Sequence, residues 1–302
     1  MNKKIICFGE TLWDMLPDGA MPGGAPMNVA IHLHYQGYTP TILSRIGNDA
    51  AGKNLLSFLQ EKGISTGYIQ ADETHQTGLV QADISNKTHV TYNIVALVAW
   101  DYIRYEEQAA RLVQESDVFI YGSLASRSKT TCETLFKYLP LASLKVFDVN
   151  LRPPHYSPKQ IQLLMDHASI IKMNHHELTE ILSWYGQILP EKEGMEYLIQ
   201  RFHTDVLLVT RGENGASVFT SAGYFEHPGF QVKVEDTIGS GDAFLAVFLH
   251  QYLSGMAISQ ILPFACAVGA YVATQRGATP VVPENAIRQL LDSALASNPI
   301  IL

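Results

Sequence analysis

The chain has 302 residues, 47% of them apolar, with three cysteines and a formal net charge of −8. That apolar share supports a large folded core and excludes a disordered chain, and the acidic balance argues against a protein held by nucleic-acid phosphates or an anionic membrane surface. Cys7, Cys132 and Cys266 lie far apart with no metal-ligand spacing, so reduced thiols and a cytoplasmic location are expected.

Met1–Phe8 has too short an apolar run for a signal peptide, and no run approaches the ~20 residues of a membrane span. Lys4–Phe8 instead predicts a first strand, ended by Gly9. Asp14 follows just beyond it, on the edge where parallel α/β sheets bind ligands. Its carboxylate can hydrogen-bond two neighbouring hydroxyls, or serve a turn over Asp14–Asp18. Met21–Pro26 reads as a Gly/Pro turn, in which Gly23 and Gly24 allow either a close backbone approach to a ligand or simply a tight bend. Asn28–Tyr35 reads as helix. Asn28 offers both a donor and an acceptor, which suits a hydroxyl-rich ligand. His32 and His34 are two apart, do not face each other and read as ordinary helix positions. Thr41–Arg45 predicts a strand, and Ala50–Lys62 a helix closed by Gly63. Leu79–Ile84 and Val90–Val95 then alternate in polarity around Ser85-Asn86-Lys87-Thr88. Val80, Ala82 and Ile84 share one face, as do Val90, Tyr92 and Ile94, so a β-hairpin interrupts the βα rhythm.

The rhythm resumes with a helix over Arg104–Gln114, a strand over Val118–Tyr121, a helix over Ser128–Tyr138 and a strand over Lys145–Val149. Asp148, Asn150 and Arg152 gather at the end of that strand. The planar fork of Arg152 suits phosphate or hydroxyl oxygens, or it is an exposed arginine beside two prolines. Ser169–Lys172 is a strand leading into Asn174-His175-His176-Glu177. Glu177 is a charge at a helix start, and the two histidines, as helix neighbours, point in different directions, which disfavours zinc. Val206–Val209 and Ala216–Thr220 are strands around the loop Thr210–Gly215. Gly229–Val234 reads as extended and leads into Asp236-Thr237-Ile238-Gly239-Ser240-Gly241-Asp242, after which apolar Ala243–Leu253 is a buried helix stopped by Gly255. The first N–H groups of that helix lack internal partners and carry partial positive charge, so the turn attracts an anion. Asp242 would repel a phosphate there unless it does chemistry, accepting a proton from an attacking hydroxyl; the other reading is an acidic residue stabilising its own helix. Ile258–Gln275 is a second apolar helix with Pro263 in or near its first turn, ended by Gly277 and blocked by Pro280. Glu284–Ala296 is a last helix. No internal repeat or linker is present.

Gly23-Gly24-Ala25-Pro26-Met27-Asn28-Val29-Ala30, with Gly37 and Gly47, resembles the N-terminal signature of the PfkB (ribokinase-like) carbohydrate kinases. Asp236–Leu249 resembles their C-terminal signature, whose Gly-x-Gly-Asp turn carries the anion hole and the catalytic base. Gly9-Glu10-Thr11-Leu12-Trp13-Asp14 and Asp148-Val149-Asn150-Leu151-Arg152-Pro153 look most like the fructokinase branch. The resemblance runs from Ile5 to about Pro280. Val247 departs from it, standing where Gly or Ala is usual, on the helix body where packing rather than chemistry is at stake.

The resemblance implies a ribokinase-like α/β fold: a three-layer sandwich with a mostly parallel central sheet flanked by helices. It implies one kinase domain over 1–302, with a small β lid inserted from about 11–22 and 76–98. The implied activity is ATP-dependent phosphorylation of a sugar at a terminal hydroxyl, foremost fructose to fructose 6-phosphate. Asp242 is then the general base, with Gly239, Ser240 and Gly241 around the transferred phosphoryl. Asp14, Gly23, Gly24, Asn28 and Arg152 would contact the sugar. Asn174, Thr210, Gly212, Gly215, Gly241 and Cys266 would meet the nucleotide. Glu177 would orient Mg²⁺ through water, and Asp236 with the Ile238 carbonyl matches the place of a monovalent cation such as K⁺. The lid would close over the sugar and pair with a second lid in a homodimer. Expected partners are ATP and a small sugar, with no nucleic acid and no membrane. Within the family 2-keto-3-deoxygluconate, ribose and nucleosides are rival substrates, and a non-catalytic sugar-binding regulator is the alternative outside enzymes. A P-loop kinase is not supported, since Gly-x-x-x-x-Gly-Lys-Ser/Thr is absent. A dinucleotide-dependent oxidoreductase would need Gly-x-Gly-x-x-Gly after the first strand, and it is not there.

Overall fold

Ile5–Phe8, Val118–Gly122 and Val206–Thr210 are near-continuous apolar runs, and in the computed structural model they are strands buried along almost their whole length, as strands covered on both faces by helices must be. The structure describes residues 3–16, 19–83 and 91–297. The chain divides into two units, Met1–His167 and Ala168–Leu302. Among the described residues no helix is long and apolar enough to cross a membrane.

The first unit runs β1 (Ile5–Phe8), β2 (Leu12–Leu16), β3 (Gly19–Gly23), α1 (Ala25–Tyr35), β4 (Thr41–Gly47), α2 (Ala50–Glu61), β5 (Ile69–Asp72), β6 (Gly78–Asp83), β7 (Thr91–Ile94), α3 (Glu107–Gln114), β8 (Val118–Gly122), α4 (Lys129–Tyr138), β9 (Leu144–Asp148) and α5 (Pro158–Met165). Its main sheet has the order β9-β8-β1-β4-β5, every pair parallel. The strand-to-helix loops therefore emerge at the carboxyl ends, where Glu10, Ser123 and Asn150 follow β1, β8 and β9. Phe8, Phe119, Tyr121 and Phe147 stack in series across β1, β8 and β9, with centroids 5.1–6.0 Å apart.

A second, smaller sheet has the order β3-β2-β6-β7. It is antiparallel except for the parallel pair β2–β6. Asp14 pairs with Met21 and Val80, and Val80 pairs with Ile94, so Asp14, Val80 and Ile94 share a face on which Val80 and Ile94 are buried. The expected hairpin is present in β6 and β7. Its turn, Ser85–Thr88, with Ile84 and Val90, lies outside the described residues, as do Pro17 and Asp18 of the expected early turn.

Two expectations in this unit are corrected. Met21–Pro26 is not a turn: it is the end of an edge strand followed directly by the first turn of α1, and an edge tolerates Pro22 because its missing N–H is not needed. The helix expected from Arg104 starts at Glu107. The N–H groups of Ile103, Arg104 and Glu106 are taken by Thr131, Gln70 and Tyr138 side chains, so that stretch is held open by distant partners.

The second unit runs β10 (Ile170–Asn174), α6 (His175–Trp184), α7 (Glu191–Phe202), β11 (Val206–Thr210), β12 (Ala216–Thr220), β13 (Gly223–His227), α8 (Ser240–Leu253), α9 (Ile258–Ala273) and α10 (Glu284–Ser297). β10 and β11 are parallel, and β12 and β13 continue antiparallel. The strand before the α8 turn is β13 rather than Gly229–Val234, which belongs to no strand. α8 is apolar almost all round and packs against α9, and Phe244, Phe248 and Tyr252, four apart, stack along it. Val247 is buried in it. Pro263 lies just past the first turn of α9, inside the helix; there it removes one helical bond.

β4 and β5 are clamped by a buried pair. The Arg45 guanidinium donates to the Asp72 carboxylate at 2.6 Å, with side chains 8% and 2% exposed. Burial alone would raise the Asp72 carboxyl, but bonds from the His75 and Thr74 N–H groups, the His75 ring and Arg45 outweigh it and hold it well below the usual range. A depressed carboxylate stabilises the fold above its unfolded value of ~3.9, and that contribution fades as pH falls toward the folded value. Asp72→Asn should therefore cost about 3–5 kcal/mol at pH 7, the usual penalty for a buried charge left without its partner. In urea unfolding the gap between variant and wild type should narrow at pH 3. A gap that is equal at both pH values would contradict this.

Candidate functional site

In the first unit, Asp14 projects from β2 over the end of β3. A Cβ on Gly23 would come within 2.1 Å of the Asp14 carboxylate, so only glycine lets that carboxylate lie where it does. Gly24, at φ 116°, is the N-cap of α1, and a Cβ there would meet the Glu10 carbonyl at 2.5 Å. Glu10 is itself buried and accepts the Ala25 N–H at 3.1 Å, fixing where α1 begins. Asn28 is buried in the first turns of that helix, its N–H bonded to the Gly24 carbonyl. Four of the expected sugar-contact residues, Asp14, Gly23, Gly24 and Asn28, are thus assembled by one strand–strand–helix connection. Arg152 stands elsewhere, exposed on the loop after β9, with Nη1 donating to the Leu151 carbonyl at 3.1 Å.

In the second unit, the turn into α8 is tightly determined. Gly239 caps the helix in the left-handed region at φ 76°, and a Cβ there would sit 2.3 Å from the Ala278 carbonyl oxygen. Both conformation and space demand glycine. Ser240 donates its hydroxyl to the Gly269 carbonyl of α9 at 2.8 Å. Asp236 accepts the Ile238 N–H at 2.9 Å and the Gly277 N–H at 3.3 Å, tying the loop before α8 to the chain after α9. The first bond of the helical ladder runs from the Ala243 N–H to the Gly239 carbonyl, and the Ser240 N–H closes a turn onto the Thr237 carbonyl at 3.3 Å, so Gly241 and Asp242 carry the N–H groups between them and Asp242 is the third helical residue.

Sequence reasoning missed a cation here. Lys172, on β10, is buried, and its ammonium lies 3.0 Å from where a Gly241 Cβ would stand. The signal was available: a lysine inside the apolar run Ile170-Ile171-Lys172-Met173 is rarely buried without a task. The helix dipole and this ammonium together make the turn electropositive.

Asn174 and Thr210 are register partners at the ends of β10 and β11. Asn174 caps α6, accepting the Glu177 N–H at 2.9 Å, while Glu177 Oε2 accepts the Asn174 N–H at 2.8 Å. This reciprocal box gives the buried Glu177 a structural duty beside any metal duty. The rings of His175 and His176 are 3.8 Å apart, so helix neighbours do meet here, against expectation. No group of three or more His, Cys, Asp or Glu able to hold a metal is present among the described residues.

The loop from Thr210 to Gly215 is shaped by Arg211. Its guanidinium donates to the Ala216 and His227 carbonyls at 3.1 and 3.3 Å and pairs with Glu226 at 3.3 Å. Gly212 and Gly215 both have positive φ, and Gly215 packs against the His227 carbonyl. Cys266, on α9, is buried, and burial pushes its thiol up to about 12 despite the charge of Arg211. It is a neutral, apolar wall.

The chain is 29% identical over 308 residues to probable fructokinase-3 of Arabidopsis thaliana, covering 92% of this chain and 88% of that relative. Its fold matches a fructokinase with bound ATP from Xylella fastidiosa at a TM-score of 0.85, with 22% identity over 97% of this chain and 99% of that one. A fructokinase from Vibrio cholerae in fructose-, ADP- and calcium-bound form matches at 0.81, with 24% identity, 96% and 99% covered. The similarity is therefore of a whole fold and not of isolated motifs. Residues 19–285, which carry both signature segments, match the pfkB family carbohydrate kinases, and the chain belongs to that family.

Proposed function

We propose that the chain transfers the γ-phosphate of ATP to the terminal hydroxyl of fructose, forming fructose 6-phosphate. The observation that carries this reading is the turn Gly239–Asp242. A left-handed glycine cap, a helix N-terminus, a buried ammonium and a carboxylate occur together in it. Phosphoryl transfer to a hydroxyl needs that combination: donors for the moving oxygens and a base for the proton. Asp242 accepts the hydroxyl proton, while the N–H groups of Gly239, Ser240, Gly241 and Asp242, with Lys172, stabilise the phosphoryl. Asn174, Thr210, Gly212, Gly215 and Cys266 border the nucleotide. Asp14 and Asn28 hold sugar hydroxyls over Gly23 and Gly24, and Arg152 approaches from its own loop.

Fructose is favoured because the Arabidopsis relative is named a fructokinase and the Vibrio chain was solved with fructose and ADP. Glu177 fits a magnesium role through water: it is a carboxylate fixed at a helix start, and magnesium needs few protein oxygens when phosphates supply the rest. Bound there, Mg²⁺ would neutralise phosphate charge. The family match spans both units, so we read them as parts of one kinase domain, with β2, β3, β6 and β7 as its lid. A homodimer through that lid belongs to the same reading. The free cysteines and the need for ATP fit a cytoplasmic setting.

The direct test is a screen with Mg·ATP over fructose, ribose, 2-keto-3-deoxygluconate and adenosine. Fructose should be phosphorylated fastest, and Asp242→Asn should lower that rate by ~10²–10⁴ while both ligands still bind within a few fold. Another best substrate removes the fructose assignment; near wild-type turnover in Asp242→Asn removes Asp242 as the base.

Asp14→Ala should act on the other substrate. Losing a charged hydrogen-bond partner costs about 1.5–3 kcal/mol, so KM for fructose should rise by about tenfold or more with KM for ATP little changed. A change confined to ATP would show that Asp14 has been given the wrong role.

Asp236 and the Ile238 carbonyl are the proposed K⁺ ligands, and a solved form of the Vibrio fructokinase carries potassium. The Asp236 carboxylate already joins Ile238 to Gly277, so a cation there would stiffen the turn. Activity should be higher in K⁺ than in a large organic cation at equal ionic strength. Equal rates would argue against the site.

A further inference from the structure

The first unit contains a cavity of about 460 Å³ that none of Asp14, Gly23, Gly24, Asn28 or Arg152 lines. Its volume is in the range of small-molecule sites. Arg127, Ser128, Lys129, Thr130, His155 and Tyr156 form most of its polar wall. The Arg127 side chain is only 4% exposed and lies 3.7 Å over the Trp100 ring. Nε and Nη2 grip the Asp101 carboxylate, each at 2.7 Å, and Nη2 also donates to the Val95 carbonyl. Nη1 is buried and has no hydrogen-bond partner. A buried donor in that state is costly unless something else meets it.

The surroundings point to an anion. Among the described residues Asp101 is the only carboxylate on the cavity wall, and its charge is already taken by Arg127. α4 starts at Lys129, and Ser128 stands at its N-cap. The Ser128 hydroxyl donates to the Asp101 carbonyl and makes no cap. The first N–H groups of a ten-residue helix thus face this wall without a side-chain cap, carrying the positive end of its dipole. The Lys129 ammonium, on an 89% exposed side chain of this wall, lies 3.9 Å from the Glu133 carboxylate one turn along α4, a solvent-screened pair that an anion can share. Burial, and then the charge of Arg127, lower His155 below its usual range against the pull of Asp101 and its bond to the Ile94 carbonyl.

We propose that this cavity binds a small organic phosphomonoester. Its phosphate would meet Arg127 Nη1, the Lys129 ammonium and the start of α4; its carbon chain would lie along Leu97 and Pro154. Residues of this one wall carry an ammonium, a guanidinium N–H and helix N–H groups, a set that suits the three oxygens of a phosphate better than the two of a carboxylate. Arg127 and His155 also hold the carbonyls of Val95 and Ile94, where β7 ends. An occupant therefore touches the same side chains that fix the end of the small sheet.

The test is titration of glycerol 3-phosphate into the full chain at fixed ionic strength, followed by calorimetry and by the fluorescence of Trp100, which lies against Arg127. Binding should saturate. Lys129→Glu should weaken it by at least about tenfold through like-charge opposition. An acidic residue in the first turn favours the helix, which offsets its like-charge opposition to Glu133 four residues on, so that loss is not a loss of fold. Asp14→Ala should leave ester binding unchanged, which separates this site from the proposed sugar site: failure to phosphorylate fructose leaves it standing. No saturation by either method, equal affinity in Lys129→Glu, or a matching loss in Asp14→Ala overturns the proposal. Inorganic phosphate binding as tightly as the ester overturns the assignment of an ester.

Discussion

The Asp236 carboxylate is the contact on which the chemistry of the second unit depends. It accepts one N–H from Ile238, just ahead of the α8 turn, and one from Gly277, beyond the end of α9. Two loops remote in sequence are thereby set at one separation. That separation lets the Ala278 backbone press against Gly239 so closely that no side chain fits. Ser240 adds a second tie, to Gly269 in the last turns of α9. The direction in which α8 presents its first N–H groups is thus decided by its neighbour, and α8 and α9 are held at this end by polar bonds and along their length by apolar packing. Anion binding by a helix N-terminus depends on such preorganisation, because the donors must already be aimed when the charge arrives.

The same economy appears at Asn174 and Glu177. Their reciprocal bonds satisfy two backbone N–H groups at the start of α6. One carboxylate oxygen is committed to the helix, which fixes the direction of the whole group. A carboxylate meant to orient a metal through water gains from that rigidity, so the structural and the proposed roles reinforce each other. The two readings of Glu177 that the sequence allowed were never exclusive.

What could be read from the sequence follows from how local each feature is. The parallel strands announce themselves as short apolar runs, because burial on both faces needs no alternation. The α8 turn is legible because glycine and an acidic residue have local reasons to be there. β3 is not: Gly-Ala-Met-Pro-Gly has no strand propensity, and it becomes a strand only by pairing with β2, a tertiary effect that overrides local preference. The start of α3 was misplaced because Gln70, Thr131 and Tyr138 claim the preceding N–H groups from far along the chain. α5 and α7 went unread although each buries one face, at Ile161, Leu164 and Met165 and at Met195, Leu198 and Phe202; neither carries the long apolar run that marks α8 and α9. Arg127 and Asp101 gave no sign of each other, twenty-six residues apart in sequence, yet they form a buried bidentate pair.

These buried cations resolve the tension between an acidic protein and an anionic substrate. Net charge of −8 governs what is repelled or attracted at a distance, and salt screens it beyond about 8–10 Å. Lys172, Arg45 and Arg127 are largely withdrawn from that screening, and each stands beside backbone or carboxylate groups that set its orientation. Within a site, ε is lower and a single ammonium near a helix N-terminus outweighs many surface carboxylates. Arg45 is committed to Asp72 within the fold, which leaves Lys172 and Arg127 as the inward cations beside the two candidate anion sites. Lys172 inside an apolar strand is the point where both demands meet: its charge contributes little to the outer field and much to the turn at Gly241.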